Sequence, residues 1–156
     1  MKPDKVARAL LDEYWDMQLP VDPEYFANQL KLTVVRDSNM KMRTAYLDLD
    51  TREIHVNANE PPDRQRLLIA RELGHYCLGH GSTKRDTTNP DWVKHLNTED
   101  EDKAAVEFAV ALTMPSTSVT KIIDKDRVED MSKVRSFFRI APEAFFYRLY
   151  RMGYLG

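Results

Sequence analysis

The sequence IARELGHYCLGH at residues 69–80 decides how the rest of the chain is interpreted. It lies in a segment that is predicted to be helical from Pro62 onwards, because the missing N–H of proline costs nothing in the first turn of a helix. Gly79 or Gly81 is expected to end the helix, since glycine adopts the left-handed conformation that often follows a last turn. This helix carries the charged side chains on which the functional interpretation rests.

The charged side chains are Arg71, Glu72 and His75, in the order Arg-Glu-Leu-Gly-His. Zinc peptidases of one large class carry His-Glu-x-x-His on a helix. Two histidines four residues apart share a helical face and can bind one Zn²⁺, and the glutamate accepts a proton from the zinc-bound water. Glu72 would then be the general base and His75 a ligand. On its own, however, Glu-x-x-His also fits a solvated glutamate and a buried histidine.

The segments around this helix predict a mixture of helices and strands. Helices are expected at residues 6–15 and after the N-cap Asp22. Strands are expected at residues 32–35, 44–49 and 52–58, with the last two joined by a turn. A capping box at Thr98–Glu101 starts another helix, which ends at Met114. Two further helices are expected within residues 131–156, and a short helical piece is expected around Trp92.

Four stretches in this order resemble the ImmA/IrrE family of zinc peptidases. They are LPVDPEYFANQLKLTVV (19–35), EIHVNANEPPDRQRLLIARELGHYCLGH (53–80), AAVEFAVALTMP (104–115) and FFRIAPEAFFYRLYRMGYL (137–155). The resemblance covers nearly the whole chain and implies one domain over residues 1–156, with a C-terminal helical pair at about 131–156. It implies an α+β, zincin-like fold with a small mixed sheet and a bundle of helices around the motif helix.

The resemblance also implies that the zinc site has been lost. Residue by residue, the first zinc histidine of the family falls on Arg71, the second on His75, and the acidic third ligand on Ala104. Asp102 or Glu101 would supply the third ligand if the register were shifted. No shift replaces the first ligand, because arginine stays protonated and repels the metal. His75 is therefore predicted to be a remnant ligand, and Glu72 a remnant general base.

Other side chains are weighed against a rebuilt metal site. His80 follows a glycine and is interpreted as closing the helix, where a cation interacts favourably with the dipole. His55 is expected on the polar face of a strand, and His95 lies in a loop without a clear role. Cys77 is the single cysteine, and it is expected to be buried in a helix rather than catalytic.

Composition and charge limit the partners. The net charge is −2, no apolar run approaches the length of a membrane span, and no secretory signal is visible, so a cytoplasmic location is expected. Residues 131–156 carry five Lys or Arg against one acid, and their two helices could form a helix-turn-helix. Aromatic residues in these helices favour burial instead, so DNA binding is the weaker interpretation.

These observations predict a catalytically inactive relative of the family that acts by binding a protein and needs no cofactor. The resemblance implies a partner such as a helix-turn-helix repressor or a host regulator, and a role in regulating phage or mobile-element genes. The first alternative is an active zinc endopeptidase with an unusual ligand set that cleaves a repressor. The second alternative is a component of a toxin–antitoxin pair.

Overall fold

The computed structural model describes residues 2–41, 43–84 and 97–155. Within them, helices surround a three-stranded sheet, so the fold is α+β as the sequence predicts. In chain order, the elements are α1 (Pro3–Tyr14), α2 (Pro23–Gln29), β1 (Thr33–Asp37), β2 (Ala45–Asp48), β3 (Glu53–Asn57), α3 (Pro62–Cys77), α4 (Glu99–Thr113), α5 (Ser116–Thr120), a π-helical turn (Lys121–Lys125), α6 (Met131–Phe138) and α7 (Pro142–Arg151).

The sheet is mixed. Its strand order is β1-β3-β2; β1 runs parallel to β3, and β2 runs antiparallel to β3 in the predicted hairpin. The central strand β3 buries Ile54 and Val56 completely, and β2 buries Leu47. These residues alternate with polar neighbours, so one face of the sheet is directed towards the helices. The edge of β2 that does not pair with β3 forms backbone hydrogen bonds with residues 83 and 84.

The motif helix α3 packs against α2, the sheet and above all α4. Gly74 makes this close packing possible: a Cβ atom at this position would lie 2.9 Å from the Phe108 ring and 3.1 Å from the carbonyl oxygen of Ala105. Helix α4 starts with the predicted capping box, in which Thr98 and Glu101 exchange hydrogen bonds between side chain and backbone. The α3–α4 pair therefore forms the framework of the molecule.

The C-terminal part of the chain forms a second apolar cluster. Its fully buried members include Met114 from the end of α4, Phe138 from α6 and Phe145 from α7. Helix α6 is capped by Asp130 at its start, and it ends at Phe138, where the next residue, Arg139, has a φ of 51°. The helical pair predicted at the C-terminus is therefore present, although α7 ends at Arg151. The α5 helix and the π-helical turn are not anticipated by the sequence analysis.

The remaining differences concern boundaries. Helix α1 starts at Pro3 rather than Val6, because proline supplies the first turn. Helix α3 ends at Cys77, and Gly79 follows with a φ of 75°. The helical piece expected around Trp92 lies outside the described residues.

None of the helices in the described ranges combines the length and the apolar character that a membrane span needs. The longest of them, α3, has 16 residues and contains several charged side chains, whereas a span takes about 20 mostly apolar residues.

Candidate functional site

Glu72 and His75 on α3 face different parts of the molecule: His75 lies against Asp102 of α4, and Glu72 lies against Thr83 in the segment that follows α3. Both residues are buried, with 2% of their surface exposed. Ionisable side chains at this depth are costly unless they are paired. The partners of these two residues therefore determine what the α3–α4 cleft, defined here by Arg71, Glu72, His75, His80, Thr83 and Asp102, can do chemically.

Both carboxylate oxygens of Glu72 are held by the chain itself. The hydroxyl of Thr83 donates to Oε1 at 2.5 Å, and Nε of Arg71 donates to Oε2 at 3.2 Å. The Arg71 side chain is 33% exposed, whereas that of Glu72 is 3% exposed. Arg71 is thus the more exposed partner of the pair, and each carboxylate oxygen of Glu72 has a donor within the chain.

The two ring nitrogens of His75 face different partners. Nδ1 lies 3.0 Å from Nδ1 of His80, and Nε2 lies 3.4 Å from Oδ1 of Asp102 on α4. If Nε2 carries the proton and faces the carboxylate, then Nδ1 must accept, so His80 donates. Burial lowers the pKa of His75, and the charges of Glu72 and Asp102 only partly offset this effect. His75 therefore favours the neutral form.

A turn after α3 brings His80 back to His75. The backbone N–H of His80 donates to the carbonyl oxygen of His75 at 2.9 Å, and Gly79 supplies the left-handed residue that this turn requires. A second metal ligand at His80 would require α3 to end before this residue, and α3 does end at Cys77. Nevertheless, the His80 ring contacts Nδ1 of His75 and not the Nε2 side that faces α4.

The segment 82–84 runs along the open edge of β2. The backbone N–H groups of Thr83 and Lys84 donate to the carbonyl oxygen of Leu47, and the Thr83 hydroxyl accepts from the Leu47 N–H at 2.6 Å. Burial raises the pKa of Asp48, but the hydrogen bond and charge of Lys84 outweigh it, so the pKa is lowered overall. The chain thereby covers the sheet edge next to Glu72.

The donor set of the cleft does not fit the zinc ion that the family resemblance implies. Arg71 places a cation beside Glu72, and Ala104 has no ligating atom. Glu72 is engaged by Arg71 and Thr83, and His80 faces Nδ1 of His75 while Asp102 faces Nε2. No group of three or more His, Cys, Asp or Glu suitable for a metal occurs in the part of the chain that the structure describes. A zinc site of the usual type needs at least three protein ligands.

The other candidate residues lie in different surroundings. Glu101 is engaged in the capping box; the hydrogen bond from the Thr98 backbone is the largest cause of its lowered pKa. Nε2 of His55 lies 3.0 Å from Oε1 of Glu53, and the imidazole ring stacks on the ring of Tyr46. Cys77 is partly buried, and burial raises the pKa of its thiol to about 12, so the nucleophilic thiolate is disfavoured. His95 lies outside the described residues.

Thr83 is the site residue that the sequence analysis misses. It follows α3 in a polar stretch without a recognisable pattern, and its importance comes from a tertiary contact with Glu72 and with β2. A threonine in a loop carries no local signal for such a contact.

Comparison with known proteins identifies the fold and the family of this chain. A solved structure of a Mycobacterium tuberculosis transcriptional regulator matches 94% of this chain with a TM-score of 0.69 and 19% sequence identity. This match shows the fold, and the chain spans only 46% of that regulator. No curated protein sequence gives a significant match. The family model of the IrrE N-terminal-like domain, Peptidase_M78, matches residues 27–150, and the chain therefore belongs to this family.

Proposed function

We propose that this protein is a zinc-free, non-hydrolytic member of its family that regulates gene expression by binding a protein partner. Its fold would be the zincin-like framework of the family, with the peptidase cleft retained as a structural feature. The observation that carries the proposal is the state of Glu72. A general base must reach the proton that it removes. In this carboxylate, Oε2 accepts from Arg71 and Oε1 accepts from Thr83, so each oxygen already has a donor within the chain.

The rest of the cleft supports the same proposal. The cation of Arg71 stands at the position where the family has its first zinc ligand, and Ala104 stands at the position of the third. Segment 82–84 pairs with the edge of β2, which is the backbone that an extended peptide would otherwise use by strand addition. The cleft is thus filled by the chain's own groups.

Membership of the IrrE-like family, together with the fold shared with a transcriptional regulator, supports a regulatory role. The partner that we propose is a protein of the helix-turn-helix repressor class, which the protein would bind without cleaving. Genes of a phage or another mobile element are the proposed target.

The zinc content of the purified protein provides the first test. We expect substoichiometric zinc after desalting, and a melting temperature that a chelator does not change. The matched control is the double variant Arg71→His/Ala104→Glu, which restores the ligand types of the family. This variant should bind about one zinc per chain, and a chelator should lower its melting temperature, because binding to the folded state adds stability. One zinc in the unmodified protein would favour the peptidase alternative.

Catalysis and binding are separated by Glu72→Gln. Removing a general base typically costs about 10²–10⁴-fold in rate, while glutamine keeps the shape and can still accept from Thr83. We expect the variant to retain full activity in a reporter of the regulated promoter, and the repressor to keep its intact mass when it is mixed with either protein. A folded but inactive variant, or a cleaved repressor, would contradict the proposal.

A further inference from the structure

A second concave site lies away from the α3–α4 cleft. It is a cavity of about 520 Å³ between α1, the end of α4, the start of α5 and α7, and we call it the α1–α7 pocket. Its α4 wall includes Ala111, nine residues beyond Asp102, which is roughly 14 Å along the helix. The volume falls within the range of about 300–1,000 Å³ that is usual for small-molecule sites.

The lining of the α1–α7 pocket includes an arginine, Arg148, whose guanidinium is only partly used by the fold. Nε of Arg148 donates to the carbonyl oxygen of Met114 at 3.1 Å, which satisfies the C-terminal end of α4. Within the described residues, the two terminal amino groups of Arg148 make neither a hydrogen bond nor an ion pair. Burial lowers the pKa of this guanidinium, although the charges of Asp4 and Glu107 act in the opposite direction.

Two further arginines, Arg8 and Arg151, line the same cavity. Nε of Arg151 contacts Glu107 at 3.5 Å. The two acids of the lining, Asp4 and Asp12, are exposed on α1, whereas Arg148 is half-buried. Arg148 is thus the least exposed charged group of the lining, and an anion would be attracted most strongly beside it, where less solvent screens the charge.

Part of the remaining wall is apolar, and Ser116 and Thr117 complete it. The apolar part includes Leu11, Trp15 and Met152, and the indole N–H of Trp15 already donates to the backbone of Gln18. The ring of Trp15 is therefore available for packing rather than for hydrogen bonding. A flat apolar body could rest on this wall while an attached anion reaches Arg148.

We infer that the α1–α7 pocket binds a small organic carboxylate with an aromatic body. The carboxylate would accept from the free amino groups of Arg148, with Arg8 at the entrance, and guanidinium donors match the geometry of a carboxylate. The site is independent of Glu72 and of the proposed loss of zinc.

Naphthalene-2-carboxylate is a suitable probe, and naphthalene-2-carboxamide is its neutral control. Binding is followed by the NMR shift of the Trp15 indole N–H, assigned with Trp15→Phe, and by calorimetry. We expect saturable binding with a dissociation constant at or below about 1 mM, which is ordinary for a ligand of about 13 heavy atoms. The amide should bind at least about tenfold more weakly, as expected when a charge-assisted hydrogen bond is lost.

Three variants locate the site. Thr117→Trp fills the pocket from an exposed position and should abolish binding, and Arg8→Met should weaken it about two- to fivefold, as for an exposed charge pair. Arg148→Met should weaken it more than tenfold, but this variant also removes the contact with Met114, so the other two keep the test decisive if it folds poorly. Arg64→Met, on the first turn of α3, should change nothing.

Several outcomes would overturn the inference. They are the absence of saturable binding, equal binding of acid and amide, and unchanged affinity in both Thr117→Trp and Arg8→Met.

Discussion

The arginines of the α3–α4 cleft and of the α1–α7 pocket differ in how far their guanidinium groups are paired within the chain. In the cleft, Arg71 pairs with the buried carboxylate of Glu72, which also accepts a hydrogen bond from the hydroxyl of Thr83. In the pocket, Arg148 gives one N–H to the end of a helix and leaves the rest of its guanidinium facing a cavity. The ionic groups of the cleft are therefore paired within the chain, whereas the guanidinium of Arg148 has N–H groups that a ligand could bind.

This difference has a thermodynamic consequence. Removing one member of a satisfied buried network leaves the others without partners, which costs more than the net strength of the lost hydrogen bond. Removing an exposed side chain such as Arg8 from an open pocket leaves no buried group without a partner. Substitutions in the cleft should therefore lower the free energy of unfolding more than substitutions in the pocket. Substitutions in the pocket should instead weaken the binding of a ligand.

The largest effect is expected for Thr83→Val. The substitution keeps the shape of the side chain but leaves Oε1 of Glu72 and the N–H of Leu47 without their partner. With about 1–3 kcal/mol for each unsatisfied group, we expect a loss of about 3 kcal/mol in the free energy of unfolding, measured with denaturant. Thr83→Ser retains the hydroxyl and should cost much less. Equal losses in the two variants would mean that the methyl group, and not the hydroxyl, stabilises the cleft.

A smaller loss is expected for Arg71→Ala. Breaking a fully buried ion pair costs about 3–5 kcal/mol, but solvent reaches a third of the Arg71 side chain, so we expect about 2 kcal/mol after screening. The matched control on the same helix is Arg64→Ala. In its ion pair with Glu60, the Arg64 side chain is 49% exposed, and the cost should stay within about 0.5 kcal/mol.

A double-mutant cycle isolates the ion pair. In a Glu72→Gln background there is no buried charge to strand, so Arg71→Ala should become nearly neutral. A loss that is unchanged in this background would show that Arg71 acts through packing of its aliphatic part. The guanidinium would then not be the element that neutralises the cleft.

Acid should weaken the α3–α4 cleft through His75. Its pKa in the folded protein is lowered, first by burial, so the unfolded chain binds the proton more tightly. The free energy of unfolding is therefore expected to fall as the pH drops below about 6.5, the ordinary pKa of histidine. His80, whose Nδ1 lies 3.0 Å from Nδ1 of His75, also contributes to the lowering of the His75 pKa.

The measurement is denaturant unfolding between pH 7.5 and pH 5, above the range in which most carboxylates titrate. His75→Asn should show a shallower decrease with falling pH than the unmodified protein. The effect should be smaller than that of either substitution above, because Glu72 and Asp102 offset part of the burial. Stability that increases towards pH 5.5 would show that His75 is protonated in the fold.

The parts of this molecule that could be predicted from the sequence are those with local causes. Proline at the start of α3, glycine after its end and the capping box at Thr98 mark helix boundaries, and the α+β character and the family assignment are confirmed. The α5 helix and the following π-helical turn were missed because this short segment has neither a cap nor a clear apolar period.

The contacts within the sites could not be predicted in the same way. The sequence identifies Arg71 as a departure from the zinc motif, but only the fold shows that Thr83 reaches Glu72 and that a turn returns His80 to His75. The α1–α7 pocket combines residues from both ends of the chain. Such contacts depend on how helices are placed in space, and sequence periodicity does not specify that placement.

The smallest effect on stability is expected for Arg8→Met, the counterpart in the pocket of Arg71→Ala. Arg8 is exposed on α1, and its side chain makes no hydrogen bond or ion pair within the described residues. Asp4 and Asp12 lie four residues to either side without forming an ion pair to Arg8, so the loss should stay below the roughly 0.2–0.5 kcal/mol that one formed helical pair contributes, and methionine has a similar helix propensity to arginine. The unfolding free energy should therefore change by less than about 0.5 kcal/mol, although binding of naphthalene-2-carboxylate is weakened. A loss above about 1 kcal/mol would show that Arg8 is a structural partner, and the contrast between a closed cleft and an open pocket would no longer hold.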